Sequence, residues 1–591
     1  MDFPFVFTLV VLLVLVGALI REVAPAEILI FGALLALIFG GVLSVEQALQ
    51  GFAHPILLTL GALFIIGAAL QSTGMLRWFG YRVLQSPGRS TPYVLWRFLP
   101  VVALLSAFLS NSVVVTSLVA PLRQWARRYG KPLSHYLIPL SYAAILGGMC
   151  TLIGTSTNLL VDGYVSSITS ESFSLFTFAV VGVPAVVLGL VYLTFIAPRW
   201  LPVRQMPMQQ LEQHVREFVV EAEITPQFPF VGKSVEAAGL RHLQGVFLFQ
   251  IERDGLLIAP VAPTERLYIG DRLFFTGVPD TIMDLQQIPG LRLLPEAKLP
   301  WTLNDSDQVG VFEVVISPTS PLIGKKVRES GFRALYNAAI LAIHRNGERI
   351  RQKIGDVVLQ PGDTLLLVAP KGFLEQWYHS PDFYLVSEAR SEAVKPQSRG
   401  YVTLGLLLLA LGVVAGGWLS LPIALAAAAV ASVLVGALPL SEIKYAVDWS
   451  VLLIIGAAFG ISTAIDGAGI DDAVVQLFQP LMQSGQQWLI LLGVFLLTNV
   501  LTEMMTNVAA AAIAFPIAAS VAAQSAIPLL PLALVVAIAA SASFATPIGY
   551  QTNLIVYGAG NYRFSDFLRV GLPLNLAVAL LTTAVVYWVY L

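Results

Sequence analysis

The chain of 591 residues has little charge and almost no cysteine. Only 12% of its residues are charged and 57% are apolar, whereas soluble globular proteins have about a quarter charged residues. Its one cysteine, Cys150, excludes an internal disulfide and a cysteine-rich metal site. The net charge of −2 gives no indication of a nucleic-acid partner, and none is expected. These shortages exclude a soluble globular protein and predict an α-helical integral membrane protein.

The few charges are unevenly distributed along the chain. Between Arg199 and Arg399 lie 22 of the 34 basic and 23 of the 36 acidic residues. We therefore predict a soluble insert between two hydrophobic halves. The predicted domains are a first membrane half at 1–198, two small modules at 210–298 and 308–390, and a second membrane half at 400–591.

Ten hydrophobic segments have about the 20 residues that a helix needs to cross a bilayer. The first segment lacks a basic leader and is followed by many more spans, so we interpret it as a membrane helix rather than a signal peptide. The predicted spans are 4–20, 27–43, 55–72, 134–153, 176–197, 401–418, 421–438, 449–465, 528–546 and 570–590.

Two further apolar regions, near 95–126 and 486–523, are interrupted by polar residues. Their centres read Ser110-Asn111-Ser112 and Thr506-Asn507-Val508, and a second polar break follows in each half, at 154–158 and 546–553. Asn111 precedes Asn158 by 47 residues, and Asn507 precedes Asn553 by 46. This matched spacing predicts a repeat in which each half contains spans, a re-entrant hairpin with a polar tip, and a helix broken at an asparagine.

The basic residues predict how the two halves are oriented. No Lys or Arg lies between Tyr445 and Tyr562. Basic residues flank the first hairpin region, at Arg77, Arg82, Arg89, Arg97, Arg123, Arg127, Arg128 and Lys131. By the positive-inside rule the two hairpins enter from opposite sides of a cell (inner or plasma) membrane, and the insert 199–399 is cytoplasmic. The pattern is that of an inverted-repeat secondary transporter.

Polar breaks at membrane depth need a physical reason. Non-helical backbone in lipid leaves unsatisfied groups that each cost several kcal/mol, so it survives around a protected cavity. Half-helix N-termini can hold an anion, and unwound carbonyls with Asn, Ser and Thr oxygens can replace the water around sodium. A lone Ser-Asn-Ser is more often a contact between helices, but four breaks at matched spacing favour an anion site flanked by two cation sites.

These motifs resemble the divalent anion/sodium symporter family, which carries dicarboxylates, citrate or sulfate. The Ser-Asn-Thr tips of that family are matched by 110–112 and, less closely, by 506–508, and its Gly-Thr and Asn signatures by 154–158 and 546–553. The resemblance implies tips that contact anion and sodium, and broken helices that complete the sodium sites. It also implies a homodimer with an elevator motion against a scaffold formed by 4–43 and 401–438.

The resemblance implies two sets of binding residues and no organic cofactor. The substrate set is Ser110, Asn111, Ser112, Thr155, Thr506, Asn507, Val508 and Thr546. The set for two sodium ions is Ser110, Asn111, Gly154, Asn158, Thr502, Asn507, Thr546 and Asn553.

Two side chains bear on the choice of substrate and coupling ion. Val508 replaces a tip hydroxyl of the family, which removes a contact useful for a second carboxylate and favours compact sulfate. Glu503 lies one turn before Asn507, and an intramembrane carboxylate suggests function. It either loads a proton or cation, or pairs with hairpin donors to hold the tip.

The insert is itself duplicated, with a period of 92 residues. Val231-Gly232-Lys233 matches Ile323-Gly324-Lys325, and apolar strands such as 246–249 and 365–368 alternate with glycine turns. Each module is predicted to be α+β, with a short helix at 327–331 in the second. The modules resemble the C-terminal domain of potassium-conductance regulators (TrkA-C or RCK-C). That resemblance implies dimerisation and, in some members, a regulatory nucleotide or small ligand; the alternative is a purely structural platform.

The predicted function is sodium-coupled symport of a small divalent anion, with sulfate favoured. The alternatives are a sodium-coupled dicarboxylate transporter, a proton-coupled or cation exchanger, for which Glu503 is the support, and a ligand-gated channel. The sequence lacks a Thr-Val-Gly-Tyr-Gly filter, which weighs against the channel. It also lacks a nucleophile–base constellation, so no enzyme activity is expected.

Overall fold

The computed structural model of the protein covers most of the chain. It describes residues 3–21, 23–84, 90–169, 172–204, 219–240, 243, 246–277, 285, 288–294, 309–317, 320–345, 348–350, 352, 354–377, 380, 382–388, 397–476, 479–483 and 485–591. Arg89 and the predicted module limits at 210, 298, 308 and 390 lie outside the described residues.

Helices form the first hydrophobic half. They are α1 (Phe3–Ile20), α2 (Ala26–Phe39), α3 (Val45–Leu49), α4 (Pro55–Ser72), α5 (Met75–Val83), α6 (Thr91–Ser106), α7 (Asn111–Arg128), α8 (Leu137–Gly148), α9 (Ser156–Ile168), α10 (Ala179–Phe195) and α11 (Ala197–Trp200). Short 3-10 turns occur at Gln50–Ala53 and Leu133–His135.

Two five-stranded antiparallel sheets lie between the helical halves. The first contains β1 (Val219–Ile224), β2 (Val246–Arg253), β3 (Leu256–Ile258), β4 (Arg272–Gly277) and β5 (Leu291–Leu293). The second contains β6 (Val309–Ile316), β7 (Ala339–Arg345), β8 (Glu348–Arg349), β9 (Thr364–Pro370) and β10 (Phe383–Glu388), with helices α12 (Phe332–Tyr336) and α13 (Phe373–Trp377).

Helices return in the second hydrophobic half. They are α14 (Ser398–Ala415), α15 (Leu421–Leu434), α16 (Ile443–Ala446), α17 (Trp449–Ala468), α18 (Ile470–Val475), α19 (Gln479–Gln483), α20 (Gln487–Met504), α21 (Asn507–Gln524), α22 (Leu529–Ser541), α23 (Gln551–Ala559) and α24 (Phe564–Tyr590). Among the described residues of the whole chain, seven helical segments are long and apolar enough to cross a membrane.

Each of the four predicted polar breaks is an interruption of helix. Between α6 and α7 the helix stops after Ser106 and resumes at Asn111, and between α20 and α21 it resumes at Asn507. Between α8 and α9, and between α22 and α23, the non-helical stretches are longer and contain 154–155 and 546–550. The broken elements pack in one hydrophobic cluster that includes residues of both halves, such as Leu146 and Val536.

Close helix packing in this cluster depends on small residues. A Cβ atom on Gly147 of α8 would lie 2.2 Å from the carbonyl oxygen of Ala103 on α6. The obstacle is backbone, which cannot rotate away as a side chain can. The α6 and α8 backbones therefore approach as closely as they do because residue 147 has no side chain.

The two sheets have the same strand order. The first runs β3-β2-β4-β1-β5, and the second, read in the same direction, β8-β7-β9-β6-β10. In the first sheet Arg253 donates from Nε and Nη2 to the two carboxylate oxygens of Asp271, and in the second Arg345 does the same to Asp363. Each sheet also has an irregularity in its second strand, between Leu248 and Gln250 or between Ile340 and Ala342.

The two sheets pack against each other through one apolar face. Phe249 and Phe274 of the first sheet form a cluster with Leu341, Leu366 and Val368 of the second. The opposite face of the second sheet has its own core with α12 and α13. The prediction of a helix at 327–331 is wrong: this stretch forms turns, and α12 begins after Gly331, whose φ of +64° cannot continue a right-handed helix.

We expect Gly147→Ala to destabilise the protein, because the new methyl group would collide with the Ala103 carbonyl and force α6 and α8 apart. Overpacking of this kind costs about 1–3 kcal/mol. Gly61→Ala in α4 is the matched control, since no atom lies within 4 Å of the added Cβ. Thermal unfolding of the two purified variants in detergent checks this; equal midpoints would contradict it.

Candidate functional site

The two broken helices are held by the same asparagine contacts. Asn158 donates from Nδ2 to the carbonyl oxygens of Gly148 (3.3 Å) and Thr151 (2.8 Å), ten and seven residues earlier. Asn553 donates to the carbonyls of Ser543 (2.9 Å) and Thr546 (3.1 Å), also ten and seven residues earlier. Both asparagines are fully buried. Each one satisfies carbonyl groups that the helix break leaves without an intrahelical partner.

The two hairpin tips also share their hydrogen bonds. Ser106 Oγ donates to Asn111 Oδ1, and Thr502 Oγ1 lies 3.0 Å from Asn507 Oδ1 and 2.6 Å from the Ala540 carbonyl oxygen; each hydroxyl comes five residues before its asparagine. These contacts occupy one of the two lone pairs of each asparagine oxygen, and the Nδ2 of Asn111 is directed to Tyr550 of the other half. The tips therefore present amide N–H groups.

Four helix N-termini begin at the breaks. They belong to α7 and α21, with 18 residues each, α9, with 13, and α23, with nine. Within the described part of the chain, no N-cap side chain accepts a hydrogen bond from the first turn of any of these helices. Uncapped N-termini carry free N–H groups and a partial positive charge, and both favour an anion.

The two halves meet at these breaks. Asn111 Nδ2 donates to the hydroxyl of Tyr550, the residue before α23, and Thr155 Oγ1 lies 3.5 Å from the same hydroxyl. The side chain of Asn507 interacts with the same hydroxyl. Ser112 Oγ donates to Gln551 Oε1 at 2.6 Å. Both hairpin tips and the starts of both broken helices thus converge around the Tyr550 hydroxyl.

The structure places the predicted substrate residues unevenly around this point. Asn111, Asn507 and Thr155 are buried and converge on Tyr550, whereas Thr506 is exposed. Val508 is 6% exposed and belongs to the hydrophobic cluster. Thr546 instead joins the second break to the end of α20, because its Oγ1 donates to the carbonyl oxygen of Glu503 at 3.1 Å.

The predicted sodium residues lie in two groups, one in each half. In the first, a Cβ on Gly148 would lie 2.7 Å from Asn111 Oδ1 and one on Gly154 would lie 2.4 Å from Gly148 O, so the tip and break are in direct contact. Asn158 Oδ1 is buried and has no hydrogen-bond partner among the described residues. In the second group, Asn553 Oδ1 accepts a hydrogen bond from Ser141 Oγ at 2.7 Å.

Two residues at the point of convergence were missed by the sequence analysis, Tyr550 and Gln551. They lie inside the predicted break 546–553, but the pattern of small polar residues and asparagines does not single out a tyrosine. The available signal was position, since Tyr550 and Thr155 each precede the broken-helix asparagine by three residues.

Glu503 links three elements. Its Oε1 accepts hydrogen bonds from the backbone N–H of Ala545 (2.8 Å) and from Asn575 Nδ2 on α24 (2.7 Å), and its Oε2 accepts one from Ser543 Oγ (3.3 Å). The carboxylate thus connects the end of α20 to the break before α23 and to α24. These contacts favour the interpretation in which Glu503 fixes the hairpin tip.

The donors at the point of convergence are neutral hydroxyls and amides. Among the described residues there is no group of three or more His, Cys, Asp or Glu side chains that could hold a metal ion. Neutral oxygens, carbonyls and helix N-termini suit a weakly held alkali cation and an anion. Apolar membrane-length helices with polar interruptions that meet at one buried point define a multi-pass membrane transporter.

Comparison with known proteins agrees with this class. The chain matches the model of the citrate transporter family over residues 5–539 and again over 482–591. It belongs to that family, whose members are transporters and not enzymes.

Three relatives match over most of their length, and a fourth matches over less than half. A protein of Chlamydomonas reinhardtii named as a sulfur deprivation response regulator is 32% identical over 96% of this chain and 98% of its own length. An uncharacterized transporter of Synechocystis is 30% identical over 100% of this chain and 98% of its own length. Sodium/sulfate cotransporter 1 of Chlamydomonas reinhardtii is 27% identical over 90% of this chain and 84% of its own. A sodium-dependent dicarboxylate transporter of Staphylococcus saprophyticus is 25% identical over 33% of this chain and 40% of its own length.

We expect Glu503→Gln to keep most of the transport activity, because a glutamine Oε1 can accept the two short hydrogen bonds while its Nε2 donates to Ser543. Glu503→Ala should impair folding, since it leaves three donors, on Ser543, Ala545 and Asn575, without this partner, at about 1–3 kcal/mol each. Uptake and thermal unfolding of both variants check this. A stable Glu503→Gln variant that no longer transports would identify Glu503 as a coupling carboxylate instead.

Proposed function

We propose that the protein is a sodium-coupled symporter of a small divalent anion, and that its substrate is sulfate. The observation that carries the proposal is the convergence of four uncapped helix N-termini with the amides of Asn111 and Asn507 on one buried point. A compact dianion can be held there by neutral donors alone. The names of the full-length algal relatives support sodium and sulfate.

The shared hydrogen bonds of the two halves support an inverted repeat. Ser106–Asn111 and Thr502–Asn507 are equivalent pairs, and so are the break contacts of Asn158 and Asn553. On this proposal the hairpins are re-entrant from opposite sides, and the site alternates between them. A homodimer in which each protomer moves its hairpins and broken helices against α1, α2, α14 and α15, as an elevator does, completes the model.

The insert belongs on the cytoplasmic side in this model and consists of two regulator-like modules. The equal strand orders and the equal Arg–Asp contacts of the two sheets support a tandem duplication. Two arginines of the helical halves contact the second sheet, since Arg123, one of the basic residues that flank the first hairpin, pairs with Glu313 and Arg563 pairs with Glu348. The insert and these helix ends therefore share one side.

Two sodium sites are proposed, one at each tip. In the first, Asn158 Oδ1 is a buried acceptor with no donor among the described residues, next to the Asn111 and Gly154 segments. A cation would supply what this oxygen lacks. The second comprises Thr502, Asn507, Thr546 and Asn553, where Ser141 already occupies the asparagine oxygen. The two sites should consequently differ in affinity.

Uptake into proteoliposomes tests the function. We expect saturable sulfate uptake that requires an inward sodium gradient and is lost in Asn507→Ala, whose amide is at the second tip. Ser432→Ala is the control, because it removes a buried donor of α15 that bonds within its own helix, from Ser432 Oγ to the Ala428 carbonyl at 2.7 Å. Sulfate uptake that ignores sodium would reject the coupling, and full uptake by Asn507→Ala would reject the site.

Competition by other anions tests the substrate. We expect sulfate to compete far better than succinate or citrate, and Val508→Thr to narrow the gap. A hydroxyl that pairs with a substrate oxygen contributes about 0.5–1.5 kcal/mol, and about 1.4 kcal/mol is tenfold in affinity. Val508 is buried among apolar residues, so the threonine variant is first checked for thermal stability. If succinate competes at a lower concentration than sulfate in the unaltered protein, the sulfate proposal is wrong and the substrate is a dicarboxylate.

A further inference from the structure

Tyr550 lies at the point where both halves meet. It is the N-cap residue of α23, in extended conformation (φ −136°, ψ 134°), and it is half-buried. Its hydroxyl contacts Asn111 at the first tip, Thr155 before α9 and Asn507 at the second tip. The preceding residue packs against the second hairpin, because a Cβ on Gly549 would lie 2.6 Å from the carbonyl oxygen of Thr502.

Tyr550 also breaks the equivalence of the two halves. Thr155 and Tyr550 each come three residues before the asparagine that holds their broken helix. The first half therefore has a short hydroxyl where the second has a phenol long enough to reach the opposite tip. The second tip has Val508 where the first has Ser112, so its helix start offers one hydroxyl fewer. The Tyr550 hydroxyl interacts with Asn507, the residue before Val508.

We propose that the Tyr550 hydroxyl binds the transported anion directly and that the ring limits the site to a compact tetrahedral dianion. This inference rests on the proposed function. A phenol O–H between two amide donors can reach an oxyanion oxygen, while the ring takes up space that a longer dicarboxylate would need. Tyr550 is thus a specificity-determining residue, with two separable contributions: a donor and a volume.

Two substitutions separate these contributions. Tyr550→Phe keeps the ring and removes the donor, so we expect the half-saturating sulfate concentration to rise roughly tenfold to a hundredfold, as for a hydrogen bond to a charged group. Tyr550→Thr copies the first half, and we expect it to admit succinate as a competitor. Tyr192→Phe is the control, since its phenol donates to the Val570 carbonyl at 2.7 Å in the α10–α24 contact.

The measurements are sulfate uptake, sodium dependence and succinate competition in proteoliposomes of the full chain. The inference predicts a changed sulfate half-saturation in Tyr550→Phe with an unchanged requirement for sodium, and no change in Tyr192→Phe. If the unaltered protein transports sulfate and Tyr550→Phe keeps its half-saturating concentration, the inference is wrong and the proposed function stands. If the unaltered protein does not transport sulfate, the proposed function itself is wrong.

A second inference concerns the insert and rests on different contacts. The second sheet touches α7 and α23, the two helices that begin at Asn111 and directly after Tyr550. Arg123 of α7 pairs with Glu313 of β6 at 2.8 Å, with only 14% and 5% of their side chains exposed. Burial raises the pKa of Glu313, and the Arg123 guanidinium opposes that rise. Val315 of β6 is fully buried in the cluster of the helical halves.

At the α23 contact, the backbone of Gly558 lies close to the second sheet. A Cβ on Gly558 would lie 2.8 Å from both Gly362 O and Thr364 Oγ1 of the second sheet. Gly362 itself, with φ +79°, faces Leu554 one turn earlier in α23, at 3.0 Å from an added Cβ. The second sheet therefore packs directly against the backbone of α23 at Gly558.

We infer that the second sheet is fixed to the helices that carry the site and moves with them during transport. A disturbance of this contact should then change how fast the site alternates and leave its affinity for the anion unaltered. Gly558→Ala disturbs the backbone contact, and Glu313→Gln removes the charge of the buried pair. Glu348→Gln is the control, because its pair with Arg563 is exposed.

Maximal rate and half-saturating sulfate concentration, measured together, test the inference. We expect a several-fold lower maximal rate for Gly558→Ala and Glu313→Gln, with an unchanged half-saturating sulfate concentration. For Glu348→Gln we expect both quantities to be unchanged. Thermal unfolding confirms that the variants are folded. An unaltered maximal rate in both folded variants would overturn the inference, as would a change confined to the half-saturating concentration.

Discussion

The structure depends on one constraint: backbone groups released by a helix break inside an apolar cluster must find new partners. Asn158 and Asn553 meet it by bridging their own breaks, with the amide of each bonded to two carbonyls. An unsatisfied group there would cost several kcal/mol. The helix starts that follow have no hydrogen bond from an N-cap side chain, and these starts form the candidate site.

Helices and breaks could be predicted from the sequence because their causes are local. The length of an apolar run sets a span, and α4 and α1 follow the predicted limits closely. An asparagine among apolar residues is unfavourable without a partner, so repeated spacing of Asn111, Asn158, Asn507 and Asn553 indicated the breaks. The misplaced helix at 327–331 has a local cause too, since the left-handed conformation of Gly331 separates the turns from α12.

The contacts between the halves could not be predicted in the same way. Asn111 and Tyr550 are separated by 439 residues, and their meeting depends on how two helical halves pack. The length of a tyrosine matters only once the distance to the opposite tip is known. Likewise, the sequence around Glu503 is compatible with a coupling role and with a structural role. Its donors Ala545, Asn575 and Ser543, which favour the structural role, are distant in sequence.

The packing of the two sheets has a consequence for assembly. When two sheets on separate chains pair face to face, the fraction that is paired depends on protein concentration. Here Phe249 and Phe274 of the first sheet contact Leu341 and Leu366 of the second within one polypeptide. Covalent linkage gives the two partners a high effective concentration that dilution cannot lower. The two apolar faces already cover each other. The pairing of the two sheets therefore does not depend on how many copies of the chain the membrane holds.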